Sequence, residues 1–381
     1  MKSISINIEE KIDQEDFFKT ISFISPDILE ASINSGVLEM QVSDKVDELF
    51  LVDKLKKLQK KYTYGNQKEE IYYKNEKKCE EYFEIKRDNK NVVFFENGQI
   101  GFGDKGNFLL EYLDRAFLTV AKKLNAIEKA YPVLLPMEGY VKTGYIKKSP
   151  QYAIFCGTIN ETIEDLEKTS VEIYKKQVNK IINEPEYALS PSACFHTYIE
   201  YQDKELPENM VVSFRQNVFR NEGKFNYREI GRLRDYQVRE IVLIGNNRFV
   251  IEMRDKIMEA TVDLMNTLGL KGDISLANDS FIVPKMQMYK KIQRIDKSKY
   301  EMHLYVSDKK KISTASFNLH GKAFTSNFNI SVKGVEDTVT GCVGFGLQRW
   351  IIAFVAQYGW NEERWPEIVK EAYALYRKER L

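Results

Sequence analysis

The chain has 381 residues, more than the roughly 250 to 300 that one hydrophobic core usually serves, so we expect one large domain and a smaller one. Its 57 basic and 56 acidic residues leave a net charge of +1, which gives no global sign of nucleic-acid binding. No apolar run reaches the roughly 18 residues that would span a bilayer, the N-terminus lacks a signal-peptide pattern, and the four cysteines form no disulfide framework. We therefore expect a cytoplasmic protein without a membrane partner.

The first 65 residues predict a small α/β domain in the order strand, helix, strand, strand, helix, with a turn at Asn34-Ser35-Gly36 between the second and third strands. Residues 66–91 are rich in lysine, glutamate and tyrosine and have too few apolar positions for a core. They predict a charged, solvated helix or a linker. Apolar density rises from Val92, and we assign residues 92–381 to the large domain.

Within the large domain, a long amphipathic helix begins near Asn107, and two prolines in the segment YPVLLP prevent it from continuing. Segments rich in aromatic and β-branched residues predict strands at 187–201, 210–222, 233–245, 313–321 and 324–332. Helices are expected at about 158–184, 247–268, 284–296 and 346–357. Short loops between several of the strands favour a mainly antiparallel sheet, so the predicted fold class is α+β.

Cysteine and histidine are scarce, with four and three residues, so few ligand sets for a soft metal exist. Cys194, Glu240 and Cys342 would supply two thiolates and one carboxylate. Catalytic zinc is held by three protein ligands and keeps its fourth position open. On residue types alone, two small core side chains and a solvated carboxylate are the better interpretation, and the residues around them raise the case for a metal.

Arginines surround this set in the sequence. A predicted strand ends in Phe219-Arg220-Asn221-Glu222, a polar loop follows, and the next strand carries Arg232, Tyr236 and Glu240 four residues apart, on one face. Planar guanidinium groups bind phosphate oxygens, and a tyrosine ring can stack on a base. For an isolated arginine pair, a surface hairpin with alternating charges would be the preferred interpretation.

Further along, the segment GCVGFGLQRW places glycines 341, 344 and 346 directly before Leu347-Gln348-Arg349, at the start of a predicted helix. A glycine-rich entry into a helix is a weak signal for anion binding. The two signals in this order are more informative than either one.

Together these segments resemble the class II aminoacyl-tRNA synthetase core, whose second motif has the pattern F-R-x-E, loop, R-x-x-x-F-x-x-x-E, and whose third ends in G-x-G-x-E-R. Within that class, the two cysteines and the glutamate resemble the zinc ligands of archaeal-type seryl-tRNA synthetases and of their shorter relatives, the amino acid:carrier protein ligases. GYIKKSP, ANDSF and SFNLHGKAF are also similar to segments of those ligases. The resemblance covers about residues 92–381. It implies that an antiparallel sheet flanked by helices follows the small N-terminal domain along the chain.

The resemblance implies roles for individual residues. Arg220 would hold the α-phosphate of ATP and Glu222 the adenine amino group, Arg232 and Arg349 would bind the outer phosphates, and Tyr236 would stack on adenine. Arg220 and Arg349 would thus be the catalytic pair. It further implies zinc on Cys194, Glu240 and Cys342, Mg²⁺ with ATP, and substrate contacts from two residues of one strand, Asn318 and His320.

The function implied first is ATP-dependent activation of a small amino acid and its transfer to the phosphopantetheine thiol of a carrier protein, by a homodimer. Such carriers are acidic, and a basic predicted helix suits them: Lys285, Lys290, Lys291 and Arg294. The neutral net charge and the short N-terminal region make a tRNA partner unlikely on this interpretation. Charging of tRNA by a seryl-type synthetase and a non-enzymatic paralogue are the alternatives.

Two departures from the pattern keep a catalytically altered or inactive member as an alternative. Gln348 stands where the third motif normally has an acid. The run DKKKISTASFN offers no acid upstream of Ser316, where synthetases keep a Mg²⁺-binding glutamate. Tyr236 in place of phenylalanine is milder, because a phenol still stacks.

Overall fold

The computed structural model describes residues 1–62, 69–77, 79, 81–85 and 90–380. Its first part contains β1 (Lys2–Asn7), α1 (Gln14–Ile21), β2 (Ile28–Asn34), β3 (Val37–Val42) and α2 (Glu48–Gln59). This is the predicted order. β3 lies between β1 and β2 and runs antiparallel to both.

An aspartate directly before each helix of this small domain serves as its N-cap. The side chain of Asp13 accepts a hydrogen bond from the backbone N–H of Asp16, and Asp47 does the same for Phe50. Such N-caps satisfy backbone donors that have no partner inside the helix. The buried faces of the helices pack on alternate apolar residues of the strands.

The segment predicted as a charged helix or linker contains a strand instead, β4 (Ile71–Lys74), which pairs with a strand of the large domain. Phe83 also donates a backbone hydrogen bond to Ala356, at 2.8 Å. Sparse apolar residues suffice here because an edge strand is held mainly by its backbone. Two short strands follow, β5 (Val92–Phe94) and β6 (Ile100–Phe102).

The helices of the large domain are α3 (Asp104–Lys123), α4 (Met137–Lys142), α5 (Tyr145–Lys148), α6 (Ile163–Tyr174), α7 (Phe195–Glu200), α8 (Asn247–Thr267), α9 (Met288–Ile295), α10 (Ala323–Phe328), α11 (Leu347–Tyr358) and α12 (Glu367–Lys378). Its remaining strands are β7 (Ile127–Glu128), β8 (Leu134–Pro136), β9 (Ile154–Cys156), β10 (Tyr187–Leu189), β11 (Glu205–Leu206), β12 (Met210–Phe219), β13 (Asp235–Gly245), β14 (Gly272–Leu276), β15 (Lys299–Tyr305), β16 (Lys311–Gly321), β17 (Ser331–Val332) and β18 (Val339–Gly346).

A large sheet organises this domain, and within the described residues its strands follow the order β4-β14-β15-β16-β18-β13-β12-β7. Neighbours are antiparallel except for β7, which runs parallel to β12. The predicted α+β class is therefore confirmed, with one parallel edge strand added.

One face of the sheet is covered by helices. Phe345 of β18 stacks on Phe117 of α3 at 4.0 Å between ring centres, and Trp350 of α11 meets the same ring at 5.1 Å. Most of α11 is buried, as expected for a helix in which a continuous apolar run follows the polar first turn. In the part of the chain that the structure describes, no helix is both long and apolar enough to cross a membrane.

Two predicted strands are wrong over most of their length. In 187–201 only Tyr187–Leu189 is extended, and α7 begins directly after Cys194; in 324–332 the first part is α10. Aromatic and β-branched residues misled the prediction, because Tyr198 and Phe324 bring two short helices together by stacking at 4.2 Å. The helix predicted at 158–184 is also shorter, Ile163–Tyr174.

Phe225 joins the two domains. It belongs to the loop between β12 and β13, yet its side chain is 2% exposed and packs in the core of the small domain. We expect Phe225→Ala to lower the free energy of unfolding by about 3 to 5 kcal/mol, because it leaves a cavity in that core. Urea denaturation measures this. Phe95→Ala, at a ring that is 63% exposed, is the control and should change stability by about 0.5 kcal/mol or less; equal effects of the two changes would contradict the assigned packing.

Candidate active site

A cavity of about 940 Å³ lies on the face of the large sheet opposite α3. Alternation along β18 turns Phe345 toward α3 and leaves its neighbours Gly344 and Gly346 in the cavity wall. The wall includes every residue that the sequence suggested for metal, nucleotide or substrate binding: Cys194, Arg220, Glu222, Arg232, Tyr236, Glu240, Asn318, His320, Cys342 and Arg349.

The two cysteines and the glutamate converge at the base of this cavity. Cys194 directly precedes α7, Glu240 lies in the middle of β13, and Cys342 lies on the adjacent strand β18. Their ligand atoms are within 4.8 Å of one another, and all three residues are buried. Gly344 provides the room, because a Cβ there would come within 2.8 Å of a Glu240 carboxylate oxygen.

These three acidic groups crowd one another. Burial and the neighbouring Cys194 raise the pKa of Glu240 well above its usual range. The hydrogen bond between the two thiols lowers the pKa of Cys194 and raises that of Cys342, so the pair favours a single thiolate. A divalent cation would relieve this crowding, since it neutralises two negative charges and takes thiolate and carboxylate ligands. The donor set therefore fits a zinc ion.

Arg220 directly follows β12 and lines the cavity. Its Nε donates to the backbone oxygen of Pro191 at 2.9 Å, and its guanidinium lies 5.3 Å from the centre of the Tyr152 ring. Tyr227 holds the following turn, because its hydroxyl donates to the Arg220 oxygen and accepts from the Glu222 N–H, each at 2.9 Å. These contacts fix the guanidinium and leave other N–H groups for a ligand.

Arg232 lies further along the same loop, shortly before β13, and is surrounded by three carboxylates. They belong to Glu222 at 3.9 Å, Glu229 at 3.5 Å and Glu15 at 3.6 Å. The first two come from the loop itself, and Glu15 comes from α1 of the small domain. A residue of the N-terminal domain thus reaches the wall of the cavity, which the sequence did not suggest.

Arg349 in the first turn of α11 covers the ring of Tyr236, with 4.8 Å between the guanidinium and the ring centre. Its Nε is buried and has no hydrogen-bond partner among the described residues. The preceding Gln348 accepts a hydrogen bond from the backbone N–H of Gln237 at 2.8 Å. An acid at that position would accept the same bond, so Gln348 retains the contact between α11 and β13.

Asn318 and His320 alternate along β16 and both face the cluster. The Nε2 of His320 is 3.6 Å from the Cys342 sulfur, and the Nδ2 of Asn318 is 3.7 Å from it. Burial lowers the pKa of His320 to about 4, so its ring is neutral. Tyr198 and Thr340 contact its other nitrogen at 3.3 and 3.2 Å and fix the ring.

The structure adds a row of charges that the motifs did not reveal. Lys299, Glu301 and His303 alternate along β15 and face the cavity, and Lys299 contacts both Asp279 at 2.6 Å and Glu301 at 2.9 Å. Burial opposes the charge of His303, but Asp273 and Glu301 raise its pKa to about 9. In the sequence, the pattern K-x-E-x-H in this strand was the signal that could have identified these three residues. Glu301 pairs across the strands with Ser316, so a carboxylate does lie near the position where the sequence lacks one.

The basic helix proposed as a partner surface is α9 with its preceding turn; uncharged residues of this helix line part of the cavity wall, whereas its four basic residues do not. Lys290 is 13% exposed and forms an ion pair with Asp16 of α1. Its charge is therefore neutralised inside the protein. Lys285 and Lys291 are exposed, and Arg294 is half-buried.

A family model for the class II core domain of tRNA synthetases (G, H, P, S and T) matches residues 174–358. The chain has a class II synthetase-like fold, and the family model covers just under half of its residues. The type-2 serine–tRNA ligase of Methanocaldococcus jannaschii is 28% identical over 266 residues, which are 66% of this chain and 51% of the relative. That of Methanothermobacter thermautotrophicus is 26% identical over 287 residues, which are 72% and 56%. The chain spans about half the length of the curated relatives it matches.

Two solved structures share the fold of this synthetase core. The Methanopyrus kandleri SerRS in complex with A. aeolicus tRNASec superposes with a TM-score of 0.71 at 20% identity, over 98% of this chain and 77% of that one. The cytoplasmic serine–tRNA ligase of Naegleria fowleri in complex with AMP gives 0.61 at 10% identity, over 86% and 72%.

These comparisons contradict the predicted partners. The relatives are tRNA ligases, and one of the structures contains a tRNA, so the prediction of a carrier-protein partner and the prediction against tRNA are both wrong. The prediction against tRNA depended on the net charge. A charge summed over the whole chain does not show whether one part of the surface is basic. The prediction of a carrier-protein partner depended on the basic residues of α9, and the ion pair with Asp16 neutralises one of them, Lys290.

Proposed function

We propose that this protein activates an amino acid with ATP as an aminoacyl-adenylate and transfers the aminoacyl group to tRNA, with serine as the amino acid. One observation carries the proposal: a single cavity joins a buried three-ligand cluster to Arg220, Arg232 and Arg349. The relatives supply the choice of serine and of tRNA.

ATP would lie along the arginine side of the cavity. Tyr236 would stack on the adenine, and Arg349, whose guanidinium lies over that ring in the structure, would turn toward the phosphates as the nucleotide enters. Its unpartnered Nε is then available for a phosphate oxygen. Arg220 is fixed next to the cluster and would contact the α-phosphate, with Mg²⁺ accompanying the outer phosphates.

The amino acid would lie over Cys194, Glu240 and Cys342. A zinc ion held by these three residues would offer its open position to the substrate's amino group. Asn318 and His320 border this position from β16, and a neutral His320 presents no positive charge to an ammonium or amine. They are our candidates for contacts to the substrate.

Activation then needs alignment and charge neutralisation, and no protein nucleophile. An oxygen of the substrate carboxylate attacks the α-phosphorus, the bond from that phosphorus to the β-bridging oxygen breaks, and pyrophosphate leaves. Arg220 stabilises the charge that builds on the α-phosphate oxygens. In the second step a hydroxyl at the tRNA 3′ end attacks the carbonyl carbon and AMP leaves. Assembly as a homodimer stays a prediction.

Exchange of radiolabelled pyrophosphate into ATP tests the first step. We expect serine with Mg²⁺ to support exchange well above a sample without amino acid, and above a panel of the other amino acids. Recovery of labelled serine on total tRNA, in a nuclease-sensitive form, tests the second step. Exchange without tRNA charging would reject tRNA and retain activation, and no exchange with any amino acid would reject the proposed function.

A further inference from the structure

The small N-terminal domain is attached to the loop that carries Arg232. Asn226 donates a hydrogen bond to the backbone oxygen of Lys19 at 3.2 Å, and the Phe225 N–H donates to the Ser22 hydroxyl at 3.1 Å. Both contacts involve α1 or its C-terminal end. They hold α1 at the cavity, and Glu15 and Lys19 line its wall.

One carboxylate oxygen of Glu15 lies between two cations. It is 3.2 Å from the Lys19 amine and 3.6 Å from Nη2 of Arg232. Lys19 foremost, with Arg232 and Lys310, holds the pKa of Glu15 below its usual range although burial opposes this. An anion is therefore stabilised at this point.

The cations are better fixed than the anion. The side chains of Lys19 and Arg232 are 18% and 23% exposed, whereas that of Glu15 is 69% exposed. An exposed ion pair contributes little free energy, so the carboxylate can leave at small cost. A stronger anion would then meet two positive groups that both contact the same Glu15 oxygen, although Lys19 also lies 3.8 Å from a carboxylate oxygen of Asp16.

We propose that Lys19 and Arg232 form a subsite for the outer phosphates of a nucleoside triphosphate, which Glu15 occupies until the phosphates displace it. This deepens the proposed function and rests on it for the identity of the nucleotide. It makes the small domain part of the nucleotide site. Removing Glu15 from Arg232 also leaves that guanidinium two carboxylates, Glu222 and Glu229, in place of three.

Calorimetric titration of the full chain tests the subsite with three probes: ATP with Mg²⁺, inorganic pyrophosphate, and AMP, which lacks the outer phosphates. We expect Lys19→Met to weaken binding of ATP and pyrophosphate about tenfold, the size of one charge-assisted hydrogen bond, and to leave AMP unchanged. Glu15→Gln should tighten both polyphosphate probes several-fold, because the competing carboxylate is gone. A gain in affinity is not expected from structural damage.

Lys45→Met, at an exposed lysine of the same domain outside the cavity wall, is the control and should bind all three probes like the wild type. The subsite is wrong if both α1 variants bind ATP as the wild type does, if Lys19→Met weakens AMP equally, or if the wild type binds neither ATP nor pyrophosphate. Pyrophosphate exchange is measured alongside. Lys19-dependent pyrophosphate binding without amino acid-driven exchange would retain the subsite and reject the proposed function.

Discussion

Replacing Arg220 with alanine should reduce amino acid-dependent pyrophosphate exchange by about 100- to 1000-fold, the usual loss when a fixed donor to a developing anion is removed. The side chain is held by Pro191 and Tyr152 and lines the same cavity as the cluster and the other two arginines. Its effect should fall on kcat more than on KM, because the α-phosphate gains charge as pyrophosphate leaves. Arg220→Lys keeps the charge without the planar fork, and should lie between the alanine variant and the wild type.

The matched control is Arg215→Ala on the same strand. Arg215 contacts Asp114 at 3.4 Å, outside the cavity wall, and its side chain is 39% exposed. Its removal should leave exchange close to the wild-type rate. Thermal unfolding of all variants shows whether they fold. A folded Arg220→Ala protein with more than about a tenth of wild-type exchange would exclude the assigned role, because that loss is smaller than one such donor supplies.

The residues that form the cavity were predictable where they belong to motifs. Tyr236 and Glu240 lie four residues apart on β13, and strand alternation carries that spacing directly into three dimensions. Arg232 was predicted on the same strand but lies in the loop before it, because β13 begins only at Asp235. Cys194 was also identified, although its segment was predicted as a strand and is a turn before α7. Residue type and family pattern were sufficient there, and local structure was not needed.

What could not be predicted comes from long-range packing. Glu15 and Lys19 lie more than 200 residues before Arg232, and nothing in their local pattern indicates that α1 approaches the cavity. Lys290 was mispredicted for the same reason. A basic helix face predicts exposed cations, but in the structure Asp16 of the small domain forms an ion pair with this lysine. Charge patterns along a sequence show which groups exist, but not which of them neutralise each other.

The zinc prediction gives the second large effect. Purified protein should contain about one zinc per chain, and Cys194→Ser and Cys342→Ser should each lose most of it, because a two-ligand remnant holds the ion poorly. Metal analysis by mass spectrometry measures this directly. Cys156→Ser is the matched control, at a half-buried cysteine of β9 outside the cavity wall, and should keep full zinc.

The cluster variants should also separate the two halves of the cavity. ATP binding depends on the arginines, so it should persist in Cys342→Ser while serine binding and exchange are lost. Glu240→Gln removes the carboxylate charge and keeps the size of the side chain, because the amide fills the same space beside Gly344. Zinc should therefore dissociate from this variant at a lower chelator concentration than from the wild type. A folded Cys194→Ser protein that retains full zinc would show that the ion lies elsewhere. If Cys342→Ser instead lost zinc and ATP affinity together, the metal would organise the whole cavity, and the division into an amino acid half and a nucleotide half would be wrong.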